Sequence, residues 1–365
     1  MRLLLCGGGT AGHITPAIAI AEELKSSHLN SDVLFIGREG GKENHLITKS
    51  GFKYETINIQ GIKRSFSLDN FKRIIKAIKA LSKAREIIGK FQPDVILGTG
   101  GYVCWPVITA GKKLGIPTAI HESNIIPGLT TKLLASKCDK IFINNDETKK
   151  YFNSKEKIIT VGNPLRKDFI KKGRTESRRN LGVDDDDDFL IISFGGSIGS
   201  AKINETIIEL IKDYSSKKSD IIHIHAVGNN HRNLTKKNNF PLGRCKIIPF
   251  FDDMATAMNA ADLVICRCGA MTLSEICEVG VMSILIPSPN VTANHQLVNG
   301  RHLERKKAAI LIEEKNLSTS KLIGAIKSIK NDKFGRKTRA KILKSLSTPN
   351  SAKVIVKHIF DLKNR

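Results

Sequence analysis

Aromatic residues are scarce in this 365-residue chain: phenylalanine, tyrosine and tryptophan together make 5%, with one tryptophan and four tyrosines. A surface that stacks nucleobases interleaves aromatic side chains with its lysines and arginines, and no strand here carries that pattern. Long apolar runs are missing too, so nothing supplies the roughly 20 apolar residues of a membrane-crossing helix. The opening Arg2-Leu3-Leu4-Leu5-Cys6 is too brief for a signal peptide, and glycines follow it at once. The seven cysteines (Cys6, Cys104, Cys138, Cys245, Cys266, Cys268 and Cys277) contain one close pair and no second, which argues against a zinc site. Without a secretion signal they are expected to be reduced and mostly buried, in a cytoplasmic protein. Acidic residues are also in deficit, 35 against 59 Lys and Arg, for a net charge of +24. Such a field favours nucleic acid, anionic lipid or phosphorylated small molecules. A generally lysine-rich composition has the same effect, so the location of the charge must decide.

Short apolar strands alternate with helical stretches, the pattern of an α/β protein with mainly parallel sheets. Strands are expected at Arg2–Cys6, Val33–Ile36, Val95–Leu97, Thr118–His121 and Lys140–Ile143. The segment 162–166 (GNPLR) interrupts the series, and a charged stretch leads to Asp184–Asp188. The pattern then restarts at Phe189–Phe194, with a helix from about Ala201 to Ile211 and further strands at Ile221–Val227, Lys246–Ile248, Leu263–Cys266 and Ser283–Ile286. A chain of this length is expected to form two domains, here 1–163 and 164–349. Ile355, Ile359 and Leu362 fall at helical spacing, so a helix over 350–365 is expected to pack back on the first domain.

Each half opens with a strand, a glycine loop and a helix. The first loop, CGGGTAGHITPA over 6–17, matches G-x-G-x-x-G at Gly7, Gly9 and Gly12, and its helix is expected to start at Thr15-Pro16, with Thr15 as N-cap. A dinucleotide site would also have an acid closing the second strand; here that strand ends in Gly37-Arg38. An arginine there suits a 2′-phosphate, which leaves an NADP oxidoreductase as one reading. Against it stand His13 within the loop and the second glycine loop, GGSIGS over 195–200. A helix N-terminus takes an anion through free N–H groups and its dipole, so two such loops suit a ligand with phosphates at its centre.

Several segments together resemble one family: GGGTAGHITPA (7–17), GTGGY (98–102), HESN (121–124), GNPLR (162–166), GGSIGS (195–200), FFDDM (250–254), CRCGAMTLSEI (266–276) and NHQ (294–296). The sequence resembles the MurG family of peptidoglycan glycosyltransferases in order from residue 2 to about residue 312. That resemblance implies a GT-B fold of two Rossmann-like domains with an active site in the cleft between them. It also implies inverting transfer of N-acetylglucosamine from UDP-N-acetylglucosamine to lipid I, at the cytoplasmic face of the inner membrane, in cell-wall synthesis, cell shape and division. Carried over residue by residue, it assigns donor contacts to Thr10, Ala11, Gly12, Asn124, Arg166, Ser197, Phe251, Ala270, Met271, Thr272, Leu273, Ser274, Glu275 and Gln296. Within that set Phe251 meets the uracil by its backbone, Glu275 binds the ribose diol, and Arg166 partners the diphosphate. Gly98, Gly100, Gly101 and Tyr102 fall to the acceptor side. His13 is the expected general base for the acceptor's C4 hydroxyl, an imidazole being able to accept a proton at neutral pH; the other role open to it is to orient by hydrogen bonding.

No metal or other cofactor is expected. Asp184–Asp188 contains Asp-x-Asp but sits in a hydrophilic run, and His223 with His225, alternating onto one strand face, do not make a metal site. Helix dipoles, backbone N–H groups and Arg166 are expected to hold the leaving group's charge instead. Residues 61–90 hold nine Lys or Arg against Asp69 and Glu86. Phe71, Ile74, Ile75, Ile78 and Leu81 share one helical face there, with Lys72, Arg73, Lys76, Lys79 and Lys83 largely around the rest, after Ile62, Phe66 and Leu68. Two readings fit: a helix packed on the sheet with a wet lysine face, or a peripheral contact of Lys72, Arg73, Lys76 and Lys79 with anionic inner-membrane lipid. Nucleic acid is not an expected partner. Three residues depart from the family pattern, namely Cys268, Trp105 and His295.

Overall fold

A computed structural model describes residues 1–41, 44–61, 68–183, 188–215, 220–237 and 244–364; the side chains of 68–72, 74, 215 and 237 lie outside that description. The chain divides into two units, Met1–Arg166 with Thr348–Arg365, and Lys167–Ser347. The first unit carries β1 (Arg2–Cys6), β2 (Asp32–Arg38), β3 (Lys53–Ile57), β4 (Val95–Gly98), β5 (Thr118–Glu122), β6 (Lys140–Ile143) and β7 (Ile158–Thr160). These form one parallel sheet in the order β3-β2-β1-β4-β5-β6-β7. The second carries β8 (Phe189–Phe194), β9 (Ile221–Ala226), β10 (Cys245–Ile248), β11 (Leu263–Cys266), β12 (Met282–Leu285) and β13 (Ile310–Leu311). They too are parallel, in the order β10-β9-β8-β11-β12-β13. Both are doubly wound Rossmann-like sheets.

The central strands are apolar on both faces because helices cover both. In the first unit one face buries Leu3, Leu5, Ile14, Ile18, Ile355 and Ile359 in a single cluster, and the other buries Leu4, Ile96, Ala84, Ile88 and Val107. The helix Ser351–Lys363 thus lies against Ala11–Ser27 and completes the first unit's core. In each sheet the strand order reverses beside the first strand, between β1 and β4 and between β8 and β11. The loops leaving those strands therefore part to opposite faces and leave an opening at the carboxyl edge, where open α/β sheets bind ligands.

The first helix begins at Ala11, four residues before the expected start at Thr15-Pro16. Thr10 is the last residue with extended backbone (φ −153°, ψ 154°), and Pro16 lies inside the helix, where it removes only the bond to the Gly12 carbonyl. Burial of Ile14, Ala17, Ile18, Ala21 and Leu24 offsets that loss. Thr15 is consequently not a cap; its buried Oγ1 has no hydrogen-bond partner.

Candidate active site

At the first unit's opening the loops after β1 and β4 close around His13. Its Nδ1 lies 2.8 Å from the Gly8 carbonyl oxygen. A carbonyl only accepts, so Nδ1 carries the proton, and the neutral ring presents an unprotonated Nε2. The Thr99 hydroxyl donates to the His13 carbonyl at 2.6 Å, and the Gly8 amide donates to Gly100 O at 3.3 Å. The glycines of the second loop are sterically required. A Cβ on Gly101 (φ +82°) would stand 2.0 Å from Gly8 O, and one on Gly100 (φ +117°) would stand 2.6 Å from the His13 ring and 3.0 Å from its Nε2. Tyr102 borders the same loop, its hydroxyl 3.6 Å from where a Gly9 Cβ would be. Beneath it, buried Cys104 Sγ lies 3.3 Å from the Gly100 amide and 3.2 Å from its carbonyl. Thr10 is exposed, Ala11 and Gly12 are half-buried, and neither Thr10 nor any first-turn acid caps the helix N-terminus.

The turn after β5 is organised by a residue that the sequence did not single out. Buried Glu122 accepts from the Asn124 amide (3.0 Å), from Asn124 Nδ2 (3.1 Å) and from the Gly128 amide (2.9 Å). The side chain of Asn124, expected on the donor, is therefore held by Glu122. His121 Nε2 donates to Gly162 O at 2.9 Å, and Asn163 Nδ2 donates to Ser123 O at 3.4 Å. HESN and GNPLR are thus one built unit leading to half-buried Arg166. Burial lowers the His121 pKa, so its ring stays neutral.

In the second unit the GGSIGS loop follows β8 and the helix Ala270–Val279 follows β11. Gly196 (φ +94°) and Gly199 (φ +87°) have the left-handed backbone that favours glycine, and a Cβ on Gly199 would meet Val227 O at 2.1 Å. Ser197 is exposed, and its carbonyl accepts from the Asn229 amide at 3.1 Å. Helix Ala270–Val279 has Gly269 as N-cap, no side-chain cap and no acid in its first turn, leaving an N-terminus suited to an anion. Ala270, Thr272, Ser274 and Glu275 are half-buried along it, whereas the side chains of Met271 and Leu273 are buried, so these two offer a ligand only backbone. Phe251 is buried edge-on to Phe194, with ring centroids 6.5 Å apart. Asp253 closes the FFDDM turn by capping the next helix at the Thr256 amide, 3.0 Å. Gln296 Oε1 accepts from the Ser288 amide at 2.9 Å.

Under this edge, His223 and His225 form a buried chain with Ser193 and Asn204. Ser193 Oγ lies 2.7 Å from His223 Nε2 and 2.8 Å from His225 Nδ1, and His225 Nε2 lies 3.1 Å from Asn204 Oδ1. Asn204 Nδ2 in turn donates to Val227 O, 3.0 Å. The pair is structural and supports the carbonyl against which Gly199 packs.

Among the described residues no group of three or more His, Cys, Asp or Glu is placed to hold a metal ion. Of Asp184–Asp188, residues 184–187 lie outside the described residues; Asp188 pairs with Arg244 at 2.6 Å. All seven cysteines are buried and free. Cys268 packs against Gly300 in the core, and Trp105 packs against the first unit's core. His295 Nδ1 donates to Thr292 O at 2.8 Å.

The basic helix spans Leu68–Phe91, and its buried stripe is not the side that carries Ile75 and Ile78. Ala80, Ala84, Ile87 and Ile88 are the buried stripe, while Ile75 is 41% and Ile78 62% exposed. At about 100° per residue these two isoleucines fall on the opposite side of the helix from that stripe. Lys79 is exposed and Lys76 half-buried; Arg73 donates instead to the Gly61 carbonyl. The Phe71, Lys72 and Ile74 side chains, and Ile62, Phe66 and Leu68 ahead of them, lie outside the description of side chains. No described helix is long and apolar enough to cross a membrane.

The glycosyltransferase family 28 N-terminal domain matches residues 3–143, and the glycosyltransferase family 28 C-terminal domain matches residues 190–357. The UDP-N-acetylglucosamine--N-acetylmuramyl-(pentapeptide) pyrophosphoryl-undecaprenol N-acetylglucosamine transferase of Acetivibrio thermocellus is 41% identical over 100% of this chain and 99% of its own. The enzyme of the same name from Thermoanaerobacter sp. is 44% identical over 90% of each chain. The crystal structure of Acinetobacter baumannii MurG superposes with a TM-score of 0.75 at 26% identity, covering 99% of both chains. Two Rossmann-like sheets, each with an uncapped, glycine-lined helix N-terminus at its switch point, are thus a GT-B glycosyltransferase, and the chain belongs to glycosyltransferase family 28 and within it to the MurG family.

Proposed function

We propose that this chain transfers N-acetylglucosamine from UDP-N-acetylglucosamine to the C4 hydroxyl of the N-acetylmuramoyl group of lipid I, forming lipid II with inversion at the sugar carbon. The observation that carries the reading is its full-length similarity to relatives named for that transfer. His13 Nε2 takes the hydroxyl proton as the C4 oxygen bonds to the anomeric carbon; the bond to the diphosphate breaks and its electron pair leaves with UDP. The tautomer fixed by Gly8 O suits that role.

The donor falls to the second unit. Glu275 accepts from the ribose hydroxyls, the Phe251 backbone meets the uracil, and the amides of Ser197, Ala270 and Met271 meet phosphate and sugar. Thr272, Leu273, Ser274 and Gln296 complete this side by residue correspondence, as do Thr10, Ala11, Gly12, Asn124 and Arg166 from the first unit. The acceptor falls to Gly98, Gly100, Gly101 and Tyr102. No metal step is required, because N–H groups and Arg166 stabilise the leaving diphosphate. Turnover of UDP-N-acetylglucosamine with a lipid I analogue tests the reading, and absence of a disaccharide product rejects it. As a cheaper check, UDP at 100 times its Kd is expected to stabilise the protein by about 2.7 kcal/mol, read as a rise in melting temperature. NADP giving the rise in place of UDP would restore the oxidoreductase reading.

The chain is further assigned to the cytoplasmic face of the inner membrane as a peripheral protein. Ile75 and Ile78 project beside Lys76 and Lys79, and exposed Leu129 and Leu133 lie on a helix packed against Cys104–Lys113, itself packed against the basic helix. Apolar and basic side chains mixed on one surface suit shallow contact with anionic lipid. Each lysine near such a surface contributes about 1 kcal/mol. The double change Lys76→Gln and Lys79→Gln is therefore expected to weaken sedimentation with anionic vesicles roughly 30-fold at low salt. Unchanged binding would reject the assignment. Arg73, engaged with Gly61, is left out of that variant.

A further inference from the structure

We propose that Arg267 is the positioning residue of the donor site, a clasp that sets the GGSIGS loop against the entry of helix Ala270–Val279. This deepens the donor reading of the second unit and rests on it. Arg267 is the residue after β11, and its guanidinium ties together three further segments. Nη2 donates to Ser200 Oγ at 2.6 Å and to the Glu314 carboxylate. Nη1 lies 3.3 Å from Ile286 O and 3.2 Å from Pro287 O. The four partners sit beyond the ends of β8, β12 and β13, so one side chain joins the carboxyl edge across four adjacent strands.

The loop it holds is otherwise fixed by contacts of its own backbone and of the helix that follows. Ser200 folds over Gly195 so closely that a Cβ there would stand 2.7 Å from the Ser200 amide. The opposite flank is pinned by backbone contacts, Asn229 N to Ser197 O and Asn230 N to Ile198 O. The loop's last residue enters the following helix, its carbonyl accepting from the Asn204 amide at 2.9 Å and its hydroxyl, at 3.5 Å, from the Ile203 amide; the shorter bond to that hydroxyl, 2.6 Å, comes from Arg267. The same guanidinium grips the carbonyls that begin the segment leading to Gln296, whose Oε1 anchors Ser288. Arg267 is mostly buried, with 13% of its side chain exposed, and pairs with Glu314 at 20%. Its charge is matched within the protein, so it acts through the loops and not as a phosphate ligand. A planar fork with donors in fixed directions makes these bonds together; a lysine ammonium does not reproduce them.

The test uses the full chain and UDP itself. Ser200→Ala removes the Arg267 bond together with the long contact from the Ile203 amide, and Arg267→Lys removes the fork while keeping the charge. Both are expected to raise the Kd for UDP and the KM for UDP-N-acetylglucosamine, by about tenfold for Ser200→Ala and by more for Arg267→Lys. The acceptor KM is expected to stay as in the parent. UDP affinity unchanged in Ser200→Ala overturns the proposal even if Arg267→Lys fails to fold. An equal rise in both substrates' KM also overturns it. A parent protein that binds no UDP overturns instead the donor reading on which the proposal rests.

Discussion

Replacing His13 with glutamine is expected to lower kcat by about 10²–10⁴-fold, the usual contribution of a positioned general base. Glutamine can still donate an N–H toward Gly8 O but cannot take the acceptor's proton, so binding is preserved and chemistry is not. KM for UDP-N-acetylglucosamine is expected to change little. Near-native turnover in the variant would leave His13 as an orienting group only. The geometry favours the base: the Nδ1 bond to Gly8 O fixes the tautomer, and Gly100 and Gly101 leave the ring uncrowded.

Lowering the pH from 7 to 5 is expected to cost the second unit about 2 kcal/mol through His225 alone. Burial pushes its pKa down to about 3, against ~6.5 in an unfolded chain. The unfolded state then binds more protons than the folded one below pH ~6.5, so stability is complete above that value. It falls steadily as pH drops toward 3. His223 is also held well below its ordinary value, by burial first and by His225 second, and acts in the same direction. Against a typical total of about 5–15 kcal/mol this is a large share. Denaturant titrations at the two pH values measure it. His225→Asn, whatever its absolute stability, should shrink the difference between them by about 2 kcal/mol, and an unaltered difference would contradict this account.

The central strands were legible because parallel strands buried on both faces read as unbroken apolar runs: RLLLC, VILG and FLIISF all appear as such. Three edge strands were not. In β3 the residues Lys53, Tyr54 and Glu55 are exposed, and β7 and β13 have only three and two residues, too few for any periodicity. The first helix was placed late because Thr15-Pro16 is a good start signal, yet burial of Ile14 and Ala17 outweighed it. On the basic helix the sequence leaves two readings open, because the buried stripe of Ala80, Ala84, Ile87 and Ile88 is less conspicuous than Ile75 and Ile78, which are exposed. At the candidate site the glycine loops were readable from spacing, and the other motif residues came from the family resemblance. Arg267 was not readable, because its partners lie 19 to 67 residues away; nor was Glu122, whose part is to close the turn from Asn124 to Gly128 beneath it. Both stand inside the motifs CRCG and HESN, and a charged residue at the end of a buried strand was the signal available.

Ile355, Ile359 and Leu362 complete a core begun by Leu3 and Leu5. Residues 167–347, by contrast, form a unit continuous in sequence. They therefore contain everything the second unit's core needs, whereas the first unit's core lacks its last layer until residues 348–365 are added. The folding order follows: the second unit can close while the first still waits, with Ile14 and Ile18 uncovered, for its final helix. A released chain ending at residue 347 should accordingly protect the second unit from protease and leave the first one open.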